Sequence, residues 1–285
     1  MKATAKRILG AILAAAALIG LIAWIAWGNS ALELTHWDIG SPKLPAAFDG
    51  YRIAQVSDLH NVEMGRNNER LLALLQEAEP EIIVITGDLI DSRRTDAEIA
   101  LEFAKQAVKI APCYYVTGNH ESRVEEYAEL RKGLKQAGVT VLEGSQVLLT
   151  RAGASIALLG IDDPDFRTNS SERFADITSQ ALQALEIEKN RYTILLAHRP
   201  ELLSVYAESG VDLVLTGHAH GGQFRLPLIG GLYAPGQGVF PKYDAGSFTQ
   251  DGTTMLVSRG IGNSLFPFRL NNRPEVLLIE LHREK

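Results

Sequence analysis

The sequence predicts an α/β fold that is preceded by one membrane-spanning helix. Short, apolar, β-rich runs recur along the chain and helical stretches separate them, which is the pattern of a layered α/β fold. An uncharged run of twenty residues near the N-terminus predicts the membrane helix. With 46% hydrophobic and 22% charged residues, the 285-residue chain falls outside the disordered and low-complexity classes.

The membrane helix is predicted for residues 8–27, which read ILGAILAAAALIGLIAWIAW. At about 1.5 Å per residue this run spans roughly 30 Å, the thickness of a bilayer's hydrocarbon core. Lys2, Lys6 and Arg7 precede it, so the positive-inside rule predicts a cytoplasmic N-terminus and places the rest of the chain on the outer side of the cell membrane, periplasmic or extracellular. The alternative is a signal peptide cleaved after Ser30, giving a secreted protein, although such an apolar region is normally only about 7–15 residues long.

The sequence divides into an anchor (residues 1–28), a linker with an edge strand (29–50) and one folded domain (51–285). Several β-rich runs are almost entirely apolar, which suits strands that are covered on both faces. The predicted strands are RIAQVS, EIIVIT, CYYVTG, IALLG, TILLAH, DLVLTG and residues 275–281. Helices are predicted at residues 67–79, 96–110, 124–137 and 178–185. Residues 223–273 are rich in Gly and Pro and are predicted to form long loops with short strands.

Composition excludes several functional classes. A net charge of −6 argues against general nucleic-acid binding, which needs a basic surface. The single cysteine, Cys113, excludes a disulfide scaffold and any zinc site built from paired cysteines. Metal ions would therefore have to be held by His, Asp, Asn and Glu.

Five polar motifs follow apolar runs at the point where each predicted strand ends. They are Asp58-Leu59-His60, Gly87-Asp88, Gly118-Asn119-His120, His198 and Gly217-His218-Ala219-His220. Ligands of open α/β sheets bind at the carboxyl ends of the strands, so these motifs predict one shared crevice. A random chain of this composition would contain GNH only about 0.02 times and GHxH about 0.015 times.

Each motif also has an ordinary structural interpretation. His198 alone would more often be a capping or core histidine, and Asn119 alone would be a helix cap. Together, however, these interpretations would bury many polar groups at one sheet edge without partners, which is costly. A pair of bound metal ions removes that cost.

The residue types suit two divalent cations. Two metals bring +4 and the carboxylates of Asp58 and Asp88 return −2, which leaves about +2 for a hydroxide and an anionic phosphoryl oxygen. Mixed imidazole and carboxylate ligands favour Mn, Fe, Zn or Co over Ca or Mg. Metals about 3.5–4 Å apart can share a hydroxide and clamp an in-line displacement at phosphorus.

In order and spacing, these motifs resemble those of calcineurin-like metallophosphoesterases, over residues 51–223. The resemblance implies a four-layer α/β/β/α sandwich of two mixed β-sheets flanked by helices, with residues 51–285 as the catalytic domain. It implies that one metal is held by Asp58, His60 and His220. It also implies that the other is held by Asn119, His198 and His218, and that Asp88 bridges the two.

The same resemblance implies that His120 contacts the substrate rather than a metal, as general acid or electrophile. The segment Gly87-Asp88-Leu89-Ile90-Asp91 makes Asp91 the candidate carboxylate that supports His120. In the protein-phosphatase branch Arg-Gly follows this segment, whereas here Ser92-Arg93-Arg94 does, which argues against that branch.

The anchor and the tail segments Ser258-Arg259-Gly260-Ile261-Gly262 and Pro274-Glu275 resemble a bacterial membrane-associated subgroup, for which phosphodiesterase activity is expected. One alternative is a pyrophosphohydrolase or phosphomonoesterase that acts on a lipid-linked or nucleotide-sugar substrate. Another is a non-catalytic, membrane-tethered binding protein. The segment Leu265-Phe266-Pro267-Phe268, with Arg269, is expected either to meet a membrane or an acyl chain, or to pack on a sheet edge.

Overall fold

The computed structural model describes residues 2–263 and 266–284. The helices in these ranges are α1 (Lys2–Ser30), α2 (Glu69–Ala78), α3 (Ala97–Ala107), α4 (Tyr127–Ala137), α5 (Phe174–Gln183) and α6 (Leu203–Ser209). The longer strands are β1 (Glu33–Ser41), β2 (Tyr51–Val56), β3 (Ile82–Thr86), β4 (Cys113–Val116), β6 (Ser145–Arg151), β7 (Ala154–Gly160), β8 (Thr193–Leu196), β9 (Leu213–Thr216), β14 (Gly246–Gln250), β15 (Thr253–Val257) and β16 (Glu275–Arg283). The two-residue strands are β5 (Thr140–Val141), β10 (Arg225–Leu226), β11 (Gly230–Gly231), β12 (Tyr233–Ala234) and β13 (Gly238–Val239).

Helix α1 stands apart from the folded domain over most of its length. Residues 6–30 are long and apolar enough to cross a membrane, and their apolar side chains face outward on all sides instead of packing in a core. A helix that is apolar all round suits a lipid environment. The predicted N-terminal helix is therefore present.

Two six-stranded mixed sheets form the centre of the described chain. The first has the order β1-β16-β2-β3-β4-β5, in which β2 to β5 are parallel and β16 is antiparallel to β2. The second has the order β14-β15-β9-β8-β7-β6, in which β7, β8, β9 and β15 are parallel. Parallel neighbours place the carboxyl ends of their strands at one edge of each sheet.

Alternating side chains of these strands fill three separate apolar layers. In β3, Ile83 and Ile85 face helices α2 to α4, while Val84 faces the second sheet. In β9, Leu213 and Leu215 face the first sheet, while Val214 faces helices α5 and α6. The four-layer α/β/β/α sandwich is therefore confirmed.

Some elements in and beside the second sheet were not expected from the sequence. Strand β6 and helix α6 were not predicted. Residues 223–273 do contain loops and short strands, but β14 and β15 within them join the second sheet. Helix α2 begins at Glu69 because Asn67 and Asn68 have φ angles of 53° and 60°, outside the helical range. Leu265, named in the sequence analysis, lies outside the described residues.

The carboxyl ends of the two sheets meet at one place. The Gln55 side chain, in the first sheet, donates to the carbonyl of Thr216 in the second at 2.8 Å. The backbone N–H of His218 donates to both carboxylate oxygens of Asp58, each at 3.1 Å. The loops that follow β2, β3, β4, β8 and β9 thus share one crevice.

Candidate metal centre

The backbone of the crevice adopts a conformation that most residues avoid. Asp58, His60, Asp88, His218 and His220 have φ angles of 54°, 47°, 52°, 65° and 48°. Positive φ is uncommon for residues other than glycine, and such strain concentrates at functional sites. Here it turns five polar side chains inward from the strand ends.

One group of inward-facing donors consists of Asp58, His60 and His220, all buried. Nε2 of His60 lies 3.2 Å from Nε2 of His220. Oδ1 of Asp58 lies 3.4 Å from Nε2 of His220 and 3.8 Å from Nε2 of His60. These three atoms are close enough together to ligate one cation.

A second group consists of Asp88, His198 and His218, also buried. Oδ2 of Asp88 lies 3.2 Å from Nε2 of His198, which in turn lies 3.2 Å from Nδ1 of His218. The same Asp88 oxygen lies 3.5 Å from Nε2 of His60 in the first group. One carboxylate oxygen therefore faces both groups.

Asn119 adds an amide oxygen at the same edge. Its Oδ1 atom is buried and has no hydrogen-bond partner among the described residues. A buried amide oxygen without a partner is costly unless a cation or donor binds it. The donor set as a whole, imidazole nitrogens with carboxylate and amide oxygens, fits transition-metal cations.

Hydrogen bonds behind the donors fix their orientation. Nδ1 of His198 lies 2.7 Å from the carbonyl oxygen of Thr86, so Nδ1–H donates there and Nε2 is the ring nitrogen that faces Asp88. The hydroxyl of Ser57 donates to Oδ2 of Asp58 at 2.5 Å.

Two glycines let the loops approach this closely. A Cβ atom on Gly118 would overlap the carboxylate of Asp88, and one on Gly217 would overlap Ser57 and the carboxylate of Asp58. The glycines of the GNH and GHxH motifs thus make room for the candidate ligands.

The charges of the crevice set the protonation of its members. Burial alone would lower the pKa of His198, but the adjacent Asp88 carboxylate outweighs it and raises that pKa to about 10. Burial would raise the pKa of Asp88, yet His198 and His120 hold it well below its ordinary value. Burial lowers the pKa of His220 to about 3. Ionised carboxylates and a neutral imidazole are the forms that bind metals, and a cation would replace the proton on His198.

His120 lies beside the donors but has a different environment. The backbone N–H of Ser92 donates to its Nδ1 atom at 3.0 Å. Asp91 lies 3.7 Å from the same nitrogen, and the guanidinium of Arg93 pairs with this carboxylate at 2.9 Å. Burial lowers the pKa of His120 to about 4, so the ring is neutral near pH 7. Its proton therefore lies on Nε2.

Sequence reasoning missed Glu121, which ties two of the loops together. This fully buried carboxylate accepts the backbone N–H groups of Gly118 at 2.7 Å and of Asp88 at 2.9 Å. Burial and the neighbouring Asp88 raise the pKa of Glu121 to about 7. Its position directly after the GNH motif was the available signal.

Arg269 was expected beside a membrane-facing segment and not at the site, because it lies 49 residues from His220, the histidine that it faces. It is 2% exposed, and its Nη2 atom lies 3.4 Å from Nδ1 of His220. The guanidinium also donates to the carbonyls of Gly262 and Arg259. Arg269 thus supports the loop beside the first donor group.

A buried ion-pair network lies behind the second donor group. Arg199 donates to Asp163 through Nε at 2.8 Å and through Nη2 at 3.0 Å. Glu201 extends the network, because its Oε1 atom lies 3.5 Å from Nη1 of Arg199 and 4.0 Å from Nε2 of His218. A groove of about 700 Å³ opens beside both donor groups, and Arg93, Arg123, Arg199, Pro235 and Gly236 are among its lining residues.

Known proteins share this chain's sequence pattern. The family model described as calcineurin-like phosphoesterase matches residues 51–222. The chain is 30% identical to the "Uncharacterized metallophosphoesterase YkuE" of Bacillus subtilis, over 88% of this chain and 85% of that protein. It is 31% identical to the "Phosphodiesterase YaeI" of Escherichia coli, over 74% of this chain and 73% of that protein.

A vertebrate protein and a solved structure extend the comparison. The "Transmembrane protein with metallophosphoesterase domain" of Danio rerio is 30% identical over 86% of this chain and 56% of that protein. The structure of TT1561 from Thermus thermophilus superposes with a TM-score of 0.52 at 13% identity, over 74% of this chain and 90% of that one, which is a likeness of fold. The family match covers more than half of the chain and includes the motifs that form the crevice, and family members are divalent-metal phosphoester hydrolases. The chain belongs to the calcineurin-like phosphoesterase family.

Proposed function

We propose that the protein is a membrane-anchored phosphodiesterase with a dinuclear metal centre. The observation that carries this proposal is the shared oxygen of Asp88, which lies 3.5 Å from His60 and 3.2 Å from His198. Asp58, His60 and His220 would hold one metal, and Asn119, His198 and His218 the other. When bound, the metals would supply an activated water and a clamp on the phosphoryl oxygens.

The charges in the groove support a preference of the enzyme for phosphodiesters over phosphomonoesters. A phosphomonoester near neutral pH carries close to two negative charges, which arginines without a carboxylate partner would help to balance. Each groove arginine named above instead pairs with a carboxylate. The pairs are Arg93 with Asp91 (2.9 Å), Arg123 with Asp165 (2.6 Å) and Arg199 with Asp163 (2.8 Å). A singly charged diester suits this balance, and the groove has room for two ester groups.

His120 would act on the substrate through Nε2–H. Because the backbone N–H of Ser92 donates to Nδ1, the neutral ring can donate a hydrogen bond from Nε2 to a phosphoryl oxygen without gaining a second proton. Full proton transfer to the leaving group, as a general acid, would require Nδ1 to take up a proton and turn to Asp91. The Ser92 contact favours the hydrogen-bonding role.

Helix α1 would remain attached as a single-pass anchor, with the catalytic domain outside the cytoplasm. The side chain of Asn29 donates to the carbonyl of Arg269 at 2.9 Å and accepts its N–H at 2.7 Å. The Arg273 guanidinium lies 5.2 Å from the centre of the Trp27 ring. Cleavage after Ser30 would remove these contacts, so they favour retention. Lys2, Lys6 and Arg7 would then stay in the cytoplasm.

The test is a substrate comparison with the detergent-purified full-length protein. We expect turnover of bis-p-nitrophenyl phosphate to exceed that of p-nitrophenyl phosphate, and both to disappear in Asp88→Asn. Faster turnover of a nucleotide sugar would instead support the pyrophosphohydrolase alternative. Metal binding without turnover of any of these substrates would support a binding protein.

A further inference from the structure

Two hairpins and a neighbouring segment expose large apolar side chains. Leu228 and Ile229 form the tip between β10 and β11, where Leu228 is fully exposed. Val239 and Phe240 lie at the end of β13 and are also exposed. Phe266 and Phe268 are each 40% exposed, and both pack against the ring of Phe224, with centroid distances of 5.0 and 5.3 Å. We call Leu228, Ile229, Val239, Phe240, Phe266 and Phe268 the apolar rim.

Backbone hydrogen bonds join the pieces of the apolar rim. Phe240 N–H donates to the carbonyl of Leu232 at 2.9 Å, and Leu232 N–H donates to Phe224 at 2.8 Å. Arg225 N–H donates to the carbonyl of Leu270 at 2.9 Å, two residues beyond Phe268. The backbone segments that carry the apolar rim are therefore hydrogen-bonded to one another.

The rim adjoins the end of helix α1. Asn29 makes two hydrogen bonds with the backbone of Arg269, the residue after Phe268. Arg273 donates to the carbonyls of Ala31 and Leu32, just after the helix ends. Because Trp24 and Trp27 lie in the last turns of α1 and tryptophan is enriched at membrane interfaces, we expect this junction at the level of the interface.

We propose that the apolar rim inserts into the bilayer on the side where α1 leaves it. The proposal rests on the membrane anchoring of α1 and not on the hydrolytic reaction. The partner of the rim is the bilayer that holds α1, because the rim is fixed next to the point where α1 leaves that bilayer. Leu, Ile and Phe are favourable at the acyl boundary, and the exposed Lys242 beyond Phe240 suits the phosphate headgroups.

Insertion would also orient the groove. Pro235 and Gly236, between β12 and β13, line the groove next to the candidate metal centre. With Val239 and Phe240 in the bilayer, the groove would open near the headgroups. A phosphoester carried by a membrane lipid would then reach the metals without leaving its leaflet.

The experiment measures depth with single-cysteine reporters in the full-length protein, one copy per lipid nanodisc of phosphatidylcholine and phosphatidylglycerol. Leu228→Cys and Phe240→Cys carry an environment-sensitive fluorophore, and the native Cys113 is buried, so we expect no labelling there. Leu148→Cys is the matched control, because Leu148 is an exposed leucine on β6, the far edge strand of the second sheet.

We expect spin-labelled lipids to quench the reporters at positions 228 and 240, with a depth of about 5–10 Å, and iodide to quench the reporter at 148. Iodide quenching at all three positions would overturn the proposal. If the reporters at 228 and 240 are protected from iodide only in nanodiscs that hold two copies of the protein, the proposal is overturned and the rim is an interface between protein copies. Because this experiment measures no turnover, neither result bears on the proposed phosphodiesterase activity, which the substrate comparison tests separately.

Discussion

Asp88 and His198 meet through Oδ2 and Nε2, which lie 3.2 Å apart. The same oxygen lies 3.5 Å from Nε2 of His60, so a single carboxylate joins two groups of buried donors. The other oxygen of Asp88 accepts the backbone N–H of His120 at 2.8 Å. Asp88 thus connects both candidate metal sites with the residue proposed to contact the substrate.

Asp88→Asn is expected to abolish hydrolysis and to reduce bound metal. The amide keeps the shape of the side chain but loses the negative charge that two cations would share. The measurement is metal per chain by elemental analysis, together with turnover of bis-p-nitrophenyl phosphate. Asp176→Asn, an exposed change in α5, is the control and should behave as wild type. Two metals and wild-type turnover in Asp88→Asn would remove the bridging role.

His120→Ala is expected to leave metal content intact and to slow hydrolysis about 10²–10³-fold, the usual cost of one lost donor to developing charge. As a hydrogen-bond donor to the phosphoryl group, His120 should matter equally for alkyl and nitrophenyl leaving groups. Ser92→Ala keeps the backbone N–H that holds Nδ1 and should stay near wild type.

Leaving-group dependence decides between the two roles of His120. A much larger loss for the alkyl diester would show that His120 protonates the departing oxygen. Loss of a metal in His120→Ala would contradict the ligand sets proposed for both sites.

Asp162→Asn is expected to stabilise the protein at high pH. Burial raises the pKa of Asp162 to about 6, although Thr117 donates a hydrogen bond to this carboxyl group at 3.0 Å. The folded state therefore holds a proton that the unfolded chain releases near its ordinary pKa of 3.8, and stability falls as the pH rises from about 4 to 6.

The amide cannot ionise and still accepts from Thr117, so the variant avoids this loss. Its free energy of unfolding should exceed that of wild type by about 2–3 kcal/mol above pH 6, and the difference should vanish near pH 4. Denaturant unfolding at pH 4 and at pH 8 measures it. An equal difference at both values would mean that ionisation of Asp162 is not the cause.

The mature protein is expected to keep residues 1–30 and to expose the catalytic domain outside the cytoplasm. The contacts of Asn29 and Trp27 with the folded domain support retention. Intact-mass measurement tests whether residues 1–30 are retained, and protease access in spheroplasts tests on which side of the membrane the domain lies. A mature N-terminus at Ala31 would show cleavage, and protection of the domain in intact spheroplasts would reverse the orientation.

The convergence of the polar motifs in one crevice could be predicted from the sequence, whereas parts of the second sheet could not. Asp58, Asp88, His198 and His220 each follow an apolar strand, and parallel strands bring their carboxyl ends together wherever the loops lead. This convergence could therefore be expected without knowing how the two sheets pack against each other.

The missed helix and strand of the second sheet lack such a local signal. Helix α6 has only seven residues, too short for a clear helical period, and β6 is an edge strand of mixed polarity. Glu121 and Arg269 are charged residues that are fully buried, which is rare without a partner. Their partners are backbone amides and carbonyls of the surrounding loops, and only folding brings these groups into position beside the two side chains.

Metal stoichiometry tests the central claim most directly. The full-length protein is stripped with a chelator, and manganese is added back while bound metal and turnover of bis-p-nitrophenyl phosphate are followed together. We expect activity to rise to its plateau at two metals per chain, and His220→Ala and His198→Ala each to retain one metal without activity. Full activity at one metal per chain, or in the stripped protein, would contradict a dinuclear centre bridged by Asp88.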